Sequence, residues 1–348
     1  LLNILFSSYF FYFSQKIFFL HKRWFMKIMK KVSIISPCYN GAGYLARFLD
    51  SLMQQDYADV EFIFVNDGST DDTENVFSAY RPRLEAKGWK VVYIKQENAG
   101  QAAALSAGLK VFTGEYLMWP DSDDILYAGH IAKKVALMEE NPAAGIGFCR
   151  LNKVNEEDPD KPLCVLERRQ NGTNDDFAGD LLICRNILWP PVGAIVRASA
   201  FLEVNPGREI YAGAAGQNFQ MFFPLAVRYS ACYSPEILGA YLIRETSHSR
   251  QQTDYVKRQF DHEDTWIHTI MRAPLSDQEK SKAIIRTVNY FERLKDVYCR
   301  KIFPSAPGKS RKSQKIRLFG FIPLLKICRK KHRTVVKLFD FIPFLKIR

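Results

Sequence analysis

The stretch KVSIISPCYNGAGYLARFLDSLMQQDYADVEFIFVNDGSTDD, residues 31–72, decides the fold. VSII (32–35) is a short apolar run of the buried-strand type, followed by the turn SPCYNGAG. From Tyr44 to Gln55 the residues Leu45, Phe48, Leu49 and Leu52 recur on one helical face. VEFIFV (60–65) is a second strand, stopped by NDGSTDD. There Ser69 or Thr70 is expected to cap a helix, with Asp71 and Asp72 favourably placed beside its dipole. VVYI (91–94) is a third strand, NAGQAAALSAGLKVF (98–112) a third helix and EYLMW (115–119) a fourth strand. Strands and helices alternating over about 90 residues predict an α/β fold, with a parallel sheet covered by helices on both faces.

In such sheets ligands gather at the carboxyl ends of the strands. Asp67 falls at the end of the second strand, and the fourth runs into WPDSDDIL (119–126), which crowds Asp121, Asp123 and Asp124 together. Like charges this close repel, and burying them is costly unless a positive charge neutralises them. A solvated turn is the plain alternative, but a strand-end place in the same layer as Asp67 favours a cation site. Oxygen-only ligands suit Mg²⁺ or Mn²⁺, ions that keep positions open for water and substrate phosphate. Neither G-x-x-x-x-G-K-[ST] nor G-x-G-x-x-G occurs, so P-loop and dinucleotide readings have no anchor.

At 348 residues, with 47% hydrophobic and 25% charged, the chain is globular and neither disordered nor a multi-span membrane protein. Seven scattered cysteines without C-x-x-C fit reduced thiols in a cytoplasmic protein better than a disulfide framework or a zinc site. The net charge of +12 is unevenly spread: residues 301–348 hold 14 Lys or Arg against one acid, Asp340. The basicity therefore belongs to a tail, and nucleic acid is not expected as a partner.

Residues 1–30 are crowded with Phe, Tyr, Ile and Leu, but the charge-free part, Leu1 to Gln15, is short for a membrane helix. They are expected to be upstream sequence or an extension outside the fold, with translation starting at Met26 or Met29. Helical stretches are expected at about 254–272 and 276–300, and PSAPGKSRKS (304–313) reads as a linker. Beyond it LFGFIPLLKI (318–327) recurs as LFDFIPFLKI (338–347), flanked by basic residues. Either this tail lies on an anionic membrane surface, or it forms a helical hairpin against the body; the concentrated charge favours the membrane. Arg168 and Arg169, in ERRQ, read as a solvated loop. Trp189, beside Pro190-Pro191, reads as an acceptor-pocket floor or a core residue, and His248 as a diphosphate contact or a structural histidine.

VSIISPCYNGAGYLARFLDSLMQQDYADVEFIFVNDGSTDDT, then NAGQAAALSAGL, then GEYLMWPDSDDIL resemble the catalytic domain of a family 2 glycosyltransferase with the GT-A fold. The resemblance covers residues 31–145 well and 185–250 more loosely. It implies a catalytic domain over 31–250, with a nucleotide-sugar half (31–145) and an acceptor half (146–250). A helical extension (251–303) and the linker with its tail (304–348) would follow. It implies that Pro37, Tyr39 and Asn40 border the base and ribose of a nucleotide-sugar, usually UDP-linked, and that Asp67 bonds the base. Gly100 would approach the donor. Asp121 would reach the ribose or a divalent metal, Mn²⁺ or Mg²⁺, and Asp123 would ligate the metal as the main catalytic residue, with Asp124 as support. The expected reaction is inverting transfer of one sugar to a glycan or lipid-linked acceptor in surface polysaccharide or glycolipid synthesis. The setting would be cytoplasmic, with peripheral membrane contact through 314–348. The chain departs from the family at three places. Gln217 and Asn218 stand where many relatives carry the Glu-Asp pair that holds the base, and Leu105 stands where an Arg is frequent. Glu209 is the alternative base. A catalytically impaired, nucleotide-sugar-binding scaffold is the rival reading.

Overall fold

A computed structural model describes residues 30–168, 176–213, 215–244 and 255–302, together with three strands between 314 and 338. The chain divides into two compact units, Leu1–Lys295 and Asp296–Arg348. The first unit opens as the sequence predicts. Strands β1 (Val32–Cys38), β2 (Val60–Asp67), β3 (Lys90–Gln96) and β4 (Tyr116–Met118) alternate with helices α1 (Leu45–Met53), α2 (Thr73–Ala86) and α3 (Gln101–Val111). β1 pairs in parallel with β2 and with β4, and β2 in parallel with β3. β1 is thus central, and its carboxyl end lies between those of β2 and β4.

All eight residues of β2 are buried, because helices cover both faces of the sheet there. Glu61 is among them. Burial alone would raise its carboxyl, but Lys90 at 2.7 Å, Ser33 Oγ at 2.6 Å and the Thr113 amide at 2.7 Å outweigh it and hold the pKa below the usual value. On α1 the buried face is Leu45, Phe48, Leu49 and Leu52, as the periodicity requires, with Ser51 beside them. The helix start differs from expectation. α2 begins at Thr73, and neither Ser69 nor Thr70 caps it. Both are spent on the neighbouring loop: Asn40 donates its amide to Ser69 Oγ (3.0 Å), and the Thr70 amide donates to Asn40 Oδ1 (2.8 Å).

The second half adds β5 (Ile125–Leu126), α4 (His130–Glu140), β6 (Ala144–Asn155), β7 (Cys164–Leu166), α5 (Phe177–Leu182), β8 (Ala194–Arg197), α6 (Ala198–Val204), α7 (Gln217–Ala226) and β9 (Ser230–Ile243). Among the described residues one sheet runs β3-β2-β1-β4-β8-β6-β9-β5, with β7 beside β6. Its longest pairings are parallel, and the shorter ones through β8, β5 and β7 are antiparallel. An aromatic cluster of Trp119, Phe148, Phe177, Trp189, Phe219, Phe222 and Trp266 joins α5 and α7 to the sheet and to helix α8 (Tyr255–Arg272). Helix α9 (Asp277–Ile302) follows.

Arg168 is not solvated. It is 6% exposed, pairs with the buried Asp180 at 3.0 Å and stacks on Phe177, since a guanidinium is buried only with a carboxylate to balance it. Arg169 and His248 lie outside the described residues, as do residues 1–29 and the linker 304–313.

Burial and the nearby Arg258 push the His262 imidazole of α8 down to about 4. A histidine depressed in the fold takes its proton in the unfolded chain first, so stability is lost as pH falls from the unfolded value towards the folded one. Between pH 7.5 and 5 the wild type should lose about 2 kcal/mol relative to His262→Leu. Urea midpoints at the two pH values check this, and parallel curves for the two proteins would contradict it.

In the second unit, β10 (Gln314–Leu318), β11 (Ile322–Lys330) and β12 (Arg333–Leu338) form an antiparallel sheet in place of the helical hairpin considered above. Pro323, central in the first repeat copy, is poorly suited to a helix interior. The second copy falls mostly outside the described residues.

Candidate active site

The carboxyl ends of β1, β2 and β4 carry the loops that hold the candidate residues. Pro37 is the penultimate residue of β1, and Tyr39 beyond the strand is 48% exposed. Asn40 is in the left-handed region (φ 50°), and its side-chain oxygen is engaged by the β2 loop. Two further bonds tie these loops: the Gly41 amide donates to Thr73 Oγ1 (2.7 Å) and the Ala42 amide to Asp71 Oδ2 (3.0 Å). Asn40 is therefore a strut of the loop pair.

Asp67 is buried and its carboxylate is fully engaged. It accepts from Gln96 Nε2 (2.7 Å) and from the amides of Ala99 (3.0 Å) and Gly100 (2.9 Å). The N-A-G turn before α3 is thereby pinned to the end of β2. Gly100 needs its φ of 88° to present that amide and still start the helix, a backbone state open to glycine at no steric cost. The next residue, Gln101, reaches across to β4's loop and donates to Asp121 Oδ1 at 2.5 Å. Asp67, Gly100 and Asp121 thus meet around one turn.

The acidic cluster itself is unequal. Asp124 is fully buried. Its Oδ2 accepts from the Asp121 amide (3.3 Å), and its Oδ1 has no hydrogen-bond partner. Burial first, then repulsion from Asp121 and Asp123, raises its pKa well above the carboxylate range. The same two causes, burial and the Asp123 charge, bring Asp121 up to about 7. Asp123 instead faces Arg244, at the end of β9, with Nη2 at 2.7 Å and Nε at 2.8 Å from Oδ2. The guanidinium also lies 3.9 Å over the Tyr44 ring. Arg244 is thus the local counter-charge that crowded carboxylates require.

Do these residues fit a divalent cation? Among the described residues no three metal-ligating side chains converge. Asp121 and Asp123 offer oxygens alone, which suits a hard ion that completes its shell with phosphate and water. The raised carboxyls and the orphaned Asp124 oxygen mark a site short of positive charge. The donor chemistry and this charge deficit both fit Mg²⁺ or Mn²⁺, with Asp121 and Asp123 as the holding residues.

On the acceptor side, α7 starts at Gly216, whose φ of 81° lets the chain turn beneath Trp266. Asn218 Oδ1 accepts from Trp119 Nε1 (3.0 Å), and its Nδ2 donates to the Trp189 carbonyl (3.1 Å). Gln217 donates to Gln101 Oε1 at 2.7 Å. Trp189 stacks on Phe222 and meets Trp266, so much of its ring serves the core. Leu105 is buried on α3 as part of the core. Glu209 lines a groove of about 600 Å³ with Ile94, Gln96, Ser106 and Lys110, whose lining includes neither Asp121 nor Asp123. Sequence reading missed Gln101 and Arg244. Gln101 at least stands directly after the N-A-G turn, whereas nothing local marks Arg244.

The model of Glycosyl transferase family 2 matches residues 33–183. An uncharacterised glycosyltransferase of Rickettsia prowazekii is 38% identical over 109 residues, 31% of this chain and 32% of the relative. Glycosyltransferase GlyG of Streptococcus pneumoniae is 34% identical over 185 residues, 50% of this chain and 59% of the relative. The matches therefore span about a third to three-fifths of those relatives' own lengths. Among solved structures, S. aureus TarS 1–349 in complex with UDP-GlcNAc superposes with a TM-score of 0.60 at 19% identity, covering 79% of this chain and 76% of that one. The mannosyltransferase PcManGT of Pyrobaculum calidifontis, in complex with GDP-Man and Mn²⁺, gives 0.52 at 17% identity, covering 80% and 77%. These structures share the mixed α/β GT-A architecture. Residues 33–183 of this chain are thus similar to glycosyl transferase family 2, on a fold shared with these structures.

Proposed function

We propose that the chain transfers one sugar from a nucleotide-sugar, UDP-linked, to a hydroxyl of a glycan or lipid-linked acceptor, with inversion. The role would lie in surface polysaccharide or glycolipid synthesis on the cytoplasmic face of the membrane. The observation that carries this reading is the joining of Asp67, the N-A-G turn and Asp121 at the carboxyl ends of β2 and β4, where such sheets bind ligands. The donors printed for structural neighbours, UDP-GlcNAc and GDP-Man, support the donor class.

The residues divide the work as follows. Pro37 and the exposed Tyr39 ring border the base and ribose, while Asp67 orders the turn whose Gly100 approaches the donor. Asp121 and Asp123 hold the divalent ion, which when bound offsets the charge growing on the leaving diphosphate. Arg244 keeps Asp123 oriented for that work. Gln217 and Asn218 are amides and take no proton, so the acceptor's proton leaves through another group. The tail from 314 to 348 supplies basic and aromatic residues for an anionic membrane surface.

A panel of nucleotide-sugars incubated with Mn²⁺ tests the reading, and UDP-linked donors should turn over. Tight UDP binding without turnover of any donor would favour a sugar-nucleotide-binding scaffold instead. Run with anionic vesicles, the same assay should show the full chain sedimenting with lipid and the chain lacking 314–348 remaining in solution; lipid-bound truncated protein would sink the tail's role.

A further inference from the structure

We propose that Gln101 is a positioning residue, part of an amide relay from Gln217 that aims the Asp121 carboxylate at the donor's metal-diphosphate. The proposal rests on the donor site described above. It begins with two distances, Gln217 Nε2 to Gln101 Oε1 at 2.7 Å and Gln101 Nε2 to Asp121 Oδ1 at 2.5 Å.

The direction of both bonds follows from chemistry alone. A carboxylate that holds a metal ion only accepts, and Gln101 turns its NH₂ to Asp121. That leaves its oxygen towards α7, where it needs a donor, and Gln217 has an NH₂ to give. An acid at 217 would have no proton to give at neutral pH. It would attract the Gln101 NH₂ and swing the amide, leaving the Gln101 oxygen against Asp121. The relay therefore requires an amide at 217, where the family resemblance leads one to expect an acid. Gln101 itself is anchored from behind, because Asp67 holds the two preceding backbone amides. One side chain thus couples the nucleotide end, the acidic cluster and the acceptor-side helix. A hydrogen bond to a charged group is among the stronger kinds, and losing it frees the carboxylate to rotate away from its ligand.

The test compares wild type, Gln101→Ala, Gln217→Ala and the double variant by calorimetric UDP binding across a Mn²⁺ series, with thermal melting alongside. Gln101→Ala should weaken Mn²⁺-dependent UDP binding about tenfold and raise the Mn²⁺ concentration needed for half-saturation. Gln217→Ala should do the same by about threefold, and the double variant should match Gln101→Ala, since both act through one oxygen. Binding in EDTA and the melting temperature should be unchanged in all three. Wild-type affinity in Gln101→Ala, multiplicative losses in the double variant, or equal losses with and without Mn²⁺ would each overturn the relay while leaving the donor site standing. Failure of the wild type itself to bind UDP with Mn²⁺ would overturn the donor-site reading and the relay with it.

Discussion

Asp123→Asn is expected to abolish the Mn²⁺ dependence of UDP binding, a loss of about 100-fold in affinity when the ion is present. Asn keeps the shape of the side chain and its place in the turn but removes the charge. The fold offers no ready replacement. Asp124 is sealed in the interior, which leaves Asp121 as the one carboxylate of the cluster still able to reach the ion. Arg244 would lose its carboxylate partner yet keep its place over Tyr44, so the fold should tolerate the change. UDP affinity in EDTA should be the same for both proteins, which separates loss of the ion from loss of the nucleotide pocket. Mn²⁺-dependent binding that survives in Asp123→Asn would remove this residue from the metal site.

Asn218→Asp should not restore a base. Its outcome is instead a protein about 2 kcal/mol less stable, with no gain in turnover. The indole N–H of Trp119 only donates and the Trp189 carbonyl only accepts, so a side chain bridging them must offer one acceptor and one donor. Asn does both. A carboxylate would keep the Trp119 bond but set an anionic oxygen against a carbonyl oxygen in a half-buried site and leave that carbonyl without its donor. The aromatic cluster of Trp119, Trp189 and Phe222 would loosen with it. Urea unfolding and turnover measured on the same preparation check both halves of the expectation. A variant of unchanged stability that turns over ten times faster would show that residue 218 is a base position the chain has lost, and the bracket described here would be wrong.

What was legible in the sequence followed from local rules. VSII, VEFIFV, VVYI and EYLMW are apolar runs separated by turn-forming residues, and Leu45, Phe48, Leu49 and Leu52 keep helical spacing, so order and burial could be read directly. The acidic cluster could be placed because a strand in a parallel sheet has only one ligand-binding end. The contacts that organise the site could not be read, since they join distant segments. Arg244 meets Asp123 across 121 positions and Gln217 meets Gln101 across 116. No periodicity encodes such pairs; they depend on how β9 and α7 pack. The same cause explains the misread cap, because Ser69 and Thr70 are drawn away by Asn40. It also explains Arg168, whose partner Asp180 arrives only when α5 folds over it. Asn218 looked like a missing base in sequence, and only its two one-way partners reveal the amide as a requirement.

The central claim is that Asp121 and Asp123 form a metal-dependent nucleotide-sugar site. The most direct measurement is a calorimetric titration of UDP into the full chain at pH 7.5, with Mn²⁺ and again with EDTA. Saturable binding is expected with Mn²⁺, weakening at least about tenfold in EDTA. Equal UDP affinity in the two conditions, or none in either, would contradict it.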